Sequence, residues 1–256
     1  MPDPVLLEVS ERIATVTLNR PEARNALSSE VLDLLPALLT EADGRDDVDV
    51  VILTGTDPAF CAGLDLKELG STAGNIGRTN GTDGSHGPFP PTTKPVIGAI
   101  NGPAVTGGFE IALNCDFLVA SERARFGDTH TRVGVMPGWG MTVLLPQAIG
   151  VRRAREMSYT GNFLTAQEAY DWGLVNHVVP HAELLPLARR LALDMINNDQ
   201  AGVRQIRRTY AEVVATTIAA GWEVEARDSQ AWSAARFDPA EIERRRTAIL
   251  ERGRSQ

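Results

Sequence analysis

The chain has 256 residues, 43% hydrophobic and 23% charged, which suits one large domain or one domain plus an appendage. A net charge of −8 without a basic stripe argues against a nucleic-acid partner, and no apolar run approaches the roughly 20 residues of a spanning helix, so no membrane partner is expected. Cys61 and Cys115 are too few for a disulfide scaffold and form no zinc-type pair, and the N-terminal stretch lacks the basic start and apolar core of a signal peptide; the expected setting is a reducing cytoplasm.

Val5 to Val9 and Ile13 to Leu18 are short β-prone runs joined by Ser10-Glu11-Arg12, an opening hairpin. Ser28 is placed to cap a helix whose apolar residues Val31, Leu32, Leu35 and Leu38 recur at helical spacing. The run Asp49 to Thr54 (DVVILT) reads as a strand buried on both faces, so the helix between it and the hairpin implies a βαβ unit and a parallel sheet. Gly70 to Pro91, with six glycines and many Ser, Thr and Asn residues, reads as a long surface loop, either a featureless insertion or a lid or pocket wall.

Order resumes with a strand at Val96 to Ile100, a turn at Asn101-Gly102-Pro103, a helix from about Gly107 to Asn114, and a strand at Phe117 to Ala120. Thr165-Ala-Gln-Glu168 fits a capping box, and Gly173 stands where that helix should stop. From about Leu184 the pattern is helical, with a last helix starting at Asp238-Pro239. The division expected is an α/β core over 1–195 and a helical region over 196–256.

Two glycine-bearing segments follow buried strands at their C-terminal ends, where open α/β sheets bind ligands: Phe60-Cys-Ala-Gly-Leu-Asp-Leu-Lys67 and Asn101-Gly-Pro-Ala-Val-Thr-Gly-Gly-Phe-Glu110. Glycine there lets a ligand approach main-chain N–H groups, and two such sites facing each other would form an oxyanion hole. Neither segment is a dinucleotide fingerprint, and there is no P-loop.

Together these segments resemble the enoyl-CoA hydratase/isomerase (crotonase) family. The similarity runs from NRPEARNAL through FCAGLDLKEL, KPVIGAINGPAVTGGFEIALNCDFLVAS and ARFG to GVMPGWG and LTAQEAYDWGLVNHVVP, roughly residues 5 to 180. The resemblance implies a crotonase-like ββα spiral core with a helical C-terminal oligomerisation region. It also implies an acyl-CoA thioester substrate, with coenzyme A part of that substrate and no separate cofactor or metal.

By motif position, the resemblance makes the backbone N–H groups of Leu64 and Gly107 the oxyanion donors and Glu110 the general base. Twenty residues on, where the family's hydratases carry a second glutamate, stands His130, a proton donor or a group that only orients the substrate; Asp128, two residues before it, reads as structural, with a substitute acid the alternative. The histidine's reference pKa of about 6.5 suits proton transfer near neutrality. Recognition of coenzyme A is expected from Arg24 and from Ala62, Gly63, Asp65, Leu66 and Lys67. Trp139 either lines the acyl pocket or packs in the core; Cys61, Cys115, Asp116, His177 and His181 read as structural.

The activity implied is hydration of a 2-enoyl-CoA to a 3-hydroxyacyl-CoA. An enoyl-CoA isomerase, another acyl-CoA transformation and a non-catalytic acyl-CoA binder are the alternatives. The family's trimers and dimers of trimers imply a homo-oligomer, and Ile206, Tyr210, Val213 and Val214, then Trp222 with Ala226, form apolar stripes in the C-terminal segment.

Overall fold

The structure, a computed structural model, describes residues 3–72, 74–75 and 87–214, with 216, 227 and 235. The chain opens with an antiparallel hairpin, β1 (Val5–Ser10) and β2 (Ile13–Leu18). Its two turn residues, Glu11 and Arg12, both have positive φ (52° and 63°), the twist that a two-residue hairpin connection requires. Arg12 is held there by an ion pair with Asp49. Helix α1 (Ser29–Gly44) then starts at Ser28, whose side chain accepts from Val31 N. It buries Val31, Leu32, Leu35 and Leu39; the buried face passes through Leu39, with Leu38 only half-buried beside it.

Strand β3 (Val50–Gly55) lies parallel to β2, which completes the expected βαβ unit. There follow α2 (Leu66–Ser71), β4 (Val96–Ile100), β5 (Pro103–Val105), α3 (Gly107–Leu113), β6 (Phe117–Ser121), β7 (Arg125–Gly127) and α4 (His130–Val133). Next come α5 (Met141–Ile149), α6 (Val151–Thr160), β8 (Phe163–Thr165), α7 (Ala166–Asp171), β9 (His177–Val179), α8 (Leu184–Ile196) and α9 (Gln200–Val214). The capping box at Thr165 is formed in full, and Gly173 follows α7 with φ 83°. Helix α2 extends to Ser71, so helix replaces the loop expected at Gly70; residues 73 and 76–86, and with them His86, lie outside the described residues.

The main sheet has the order β1-β2-β3-β4-β6-β9, parallel except at β1–β2, and β5-β7-β8 form a second, smaller sheet. Alternate residues of the central strands serve two cores, which is why those strands read as unbroken apolar runs. Val50, Ile52, Ile97 and Ala99 pack with Leu184, Leu187 and Ala188 of α8. Val51, Leu53, Val96 and Ile100 belong to the larger core with α1 and α3.

The chain divides into two compact units, residues 1–200 and 201–256. In the second, Ile206, Tyr210 and Val214 of α9 are exposed; Trp222, Ala226 and the helix expected from Asp238 lie outside the described residues. Among the described residues no helix is long and apolar enough to cross a membrane.

Candidate active site

Because β3 and β4 are neighbouring parallel strands, the segments leaving them emerge at the same sheet edge and run on side by side. Cys61 N donates to Pro103 O (3.1 Å) and Val105 N to Cys61 O (2.9 Å). On the other flank the 60s segment is tied to residues 24–27: Ala62 N to Arg24 O, Leu27 N to Gly63 O and Asp65 N to Leu27 O, at 2.8–3.1 Å. Asn25 anchors that flank through its amide, which donates to Thr56 O and Ala59 O.

Two glycines make the junction possible. Gly63 has φ 87°, and a Cβ on it would stand 2.9 Å from Val105 O and 3.6 Å from Gly107 N. A Cβ on Gly108 would fall 2.3 Å from Cys61 O. Gly108→Ala is therefore expected to push the two segments apart, costing about 1–3 kcal/mol of stability by overpacking, along with most activity. Thermal melting and turnover of the same preparation would check it. Among the described residues, neither the Leu64 N–H nor the Gly107 N–H has an acceptor.

Both residues border a cavity of about 290 Å³, together with Glu110, His130, Trp139 and Asn75. Glu110, on the first turn of α3, is 2% exposed. Its Oε1 accepts from the N–H groups of Trp139 (2.8 Å) and Met141 (3.2 Å), which fixes the carboxylate at the cavity wall. Its Oε2 lies 3.4 Å from His130 Nε2. On the far side of the imidazole, Nδ1 donates to Asp128 Oδ1 at 2.6 Å, and the same oxygen accepts from the His130 N–H.

The histidine is thus flanked by two carboxylates inside the protein. Burial disfavours a charged ring, but the hydrogen bonds and negative charges of Asp128 and Glu110 prevail and push His130 up to about 9. Burial likewise works against ionised Asp128, yet its bonds to His130 and Ser158 hold that carboxyl below its ordinary value. With the ring pushed that high, at neutral pH the centre holds an imidazolium between two acceptors, its Nε2 3.4 Å from Glu110 Oε2. Such a group donates a proton, and a carboxylate beside it accepts one.

The family model described as enoyl-CoA hydratase/isomerase matches residues 8–254. The chain belongs to the enoyl-CoA hydratase/isomerase family. It is similar to an enoyl-CoA hydratase of Mycobacterium tuberculosis whose crystal structure is solved: 49% identity, TM-score 0.77, covering 89% of this chain and 98% of that one. The short-chain-enoyl-CoA hydratase of Clostridium acetobutylicum is 37% identical over 78% of both chains. The crotonyl-CoA hydratase of Syntrophomonas wolfei is 34% identical over 87% of this chain and 86% of its own.

Within this family fold the remaining expected residues are distributed unevenly. Ala62 and Leu66 line the cavity; Gly63 is buried and outside its lining. Asp65 is occupied structurally, accepting from Lys67 N and Glu68 N at the start of α2 and pairing with Arg20 at 3.0 Å. Arg24 and Lys67 are exposed, without an ionic partner among the described residues and outside the lining of the cavity. Trp139 does both things expected of it, lining the cavity and packing against the larger core. The sequence leaves Asp128 either a structural residue or a substitute acid, and it offers no signal for Thr106 and Thr129, which border the cavity. Asp116 accepts from Val96 N, and His181 bridges Ser121 and Asp57, both away from the cavity.

Proposed function

We propose that the protein adds water to a 2-enoyl-CoA thioester, giving the 3-hydroxyacyl-CoA. The observation that carries this reading is the Glu110–His130 contact at 3.4 Å in a cavity that also presents two unpaired N–H groups. Glu110 takes a proton from water as its oxygen bonds to C3 of the substrate. The C2–C3 π electrons shift onto the thioester oxygen, where the N–H groups of Leu64 and Gly107 receive the charge. Fixed donors of this kind contribute roughly 2.7–4 kcal/mol each to the transition state.

The enolate collapses as His130 delivers its Nε2 proton to C2. Glu110 then returns its proton to His130 across their contact, and the resting state is restored. Water and enoyl thioester are consumed, one hydroxyacyl thioester forms, and the chemistry calls for no separate cofactor. Isomerisation needs only one base, so it leaves the imidazolium without a task. The mostly apolar cavity lining, including Leu66, Leu69, Val135 and Met136, suits an acyl chain.

Turnover of crotonyl-CoA, followed by loss of the conjugated thioester absorbance, tests the proposal. The alkaline limb of kcat should fall as pH rises through about 9, where His130 loses its proton. The stability that His130 contributes follows the same titration. Because its folded pKa is raised above the reference of about 6.5, that contribution is complete below 6.5 and lost by the time pH passes about 9. His130→Gln should therefore flatten the stability curve across this window in denaturant titrations.

The reading extends to assembly and setting. The exposed apolar residues of α9 support a C-terminal oligomerisation region and a homotrimer or dimer of trimers, which sedimentation would measure. An acyl-CoA substrate and an acidic chain support a cytoplasmic enzyme, with neither nucleic acid nor membrane as partner.

A further inference from the structure

Thr106 and Thr129 stand immediately before α3 and α4, where a threonine hydroxyl ordinarily accepts a hydrogen bond from its own helix. Neither does so. Their hydroxyl oxygens lie 2.5 Å apart and bond to each other. The link is the last rung of a short ladder: β5 pairs with β7 through Val105 and Gly127, and Thr106 N donates to Gly127 O at 2.9 Å. Beyond it the chains part, one into Gly107 and the other into His130.

Thr106 also sits at φ 53°, ψ −115°, a conformation that strains a β-branched residue and suits glycine. Two helix starts forgo their side-chain caps, and one residue holds a strained backbone, to maintain a bond between the turn carrying an oxyanion donor and the turn carrying the proton donor. Because the Thr106 hydroxyl is engaged there, it does not compete for the N–H groups at the start of α3.

We propose that Thr106 and Thr129 are a pair of positioning residues that hold the Gly107 N–H in register with His130. The catalytic consequence rests on the hydratase reading; the positioning of the ring does not. If the bond is broken, the imidazole moves relative to Glu110 and both proton transfers lose alignment.

The test compares wild type with Thr106→Gly, Thr106→Ser, Thr129→Val and the double variant Thr106→Gly/Thr129→Val. Thr106→Gly removes the strain together with the hydroxyl, so its melting temperature should stay within about 4 °C of wild type. Its kcat on crotonyl-CoA should nevertheless fall about 10-fold, with KM changed by less than about twofold. Thr106→Ser should restore kcat. Thr129→Val should match the loss, and the double variant should add nothing further, because both single changes remove one bond.

The His130 ring, titrated by NMR, should move down from about 9 in Thr106→Gly and Thr129→Val but not in Thr106→Ser. Wild-type kcat and titration in Thr106→Gly, or losses that multiply in the double variant, would overturn the proposal. Should wild type leave every enoyl-CoA unchanged, the hydratase reading falls and the titration alone decides: a downward move supports the positioning pair, and no move refutes it.

Discussion

Glu110→Gln is expected to lower crotonyl-CoA hydration by about 10²–10⁴-fold while the protein folds normally. The amide is nearly isosteric, and its carbonyl oxygen can still accept from Trp139 N and Met141 N, so the wall of the cavity should survive. It cannot accept a proton from water. Because the base acts in the transition state and not in substrate binding, the loss should appear in kcat, with KM little changed. The variant should also draw the His130 titration down, since one of its two flanking negative charges is gone. A Glu110→Gln protein with wild-type kcat would show that the proton leaves water by another route.

Asp128→Asn is expected to carry the second large effect, and its diagnostic is the pH profile. Asp128 touches no substrate; it acts through the imidazole, 2.6 Å from Nδ1. An asparagine there keeps the size but removes the charge that holds the ring protonated, and its amide can present a donor to Nδ1 in place of an acceptor. The alkaline limb of kcat should move down by about 2 pH units, toward the reference value of about 6.5. At pH 8 the loss should reach about 10-fold or more, with much of it recovered at pH 6. A structural role alone would lower activity equally across the range. Kinetics at pH 6 and pH 8 on one preparation separate these outcomes.

The parts of the fold legible in the sequence are those in which a local rule and the tertiary environment agree. The β1–β2 hairpin, the Ser28 and Thr165 helix starts, and the doubly buried β3 and β4 all combine a strong pattern with a matching place in the structure. The small sheet was not legible. β5, β7 and β8 are three residues each, too short for alternation to register, and they form because distant segments are brought together. Leu38 and Leu39 differ by one step of a helix, and only packing against the sheet decides which is buried.

In the site, the chemistry-bearing side chains could be singled out, but their supports could not. Glu110 and His130 were chosen by motif position, and the structure brings them to 3.4 Å. The N–H groups that orient Glu110 come from Trp139 and Met141, and backbone donors leave no mark in a residue pattern. Asp128 and His130 are two residues apart, a spacing that puts both on one face of a strand but on different faces of a helix, so by itself it does not foretell a bond between them. They converge because the chain turns between β7 and α4. Arg24 and Lys67 illustrate the converse: residues marked by motif position whose side chains are exposed, with no ionic partner among the described residues.

The most direct single measurement is the pH profile of crotonyl-CoA turnover between pH 6 and 10 for wild type beside His130→Ala. Proton donation by a carboxylate-flanked imidazolium requires that wild type hydrate the substrate, that kcat decline through about pH 9, and that His130→Ala lose about 10²-fold or more and with it that alkaline limb. A wild type that binds crotonyl-CoA without consuming it, or a His130→Ala protein that retains wild-type turnover and the same limb, would contradict the assignment.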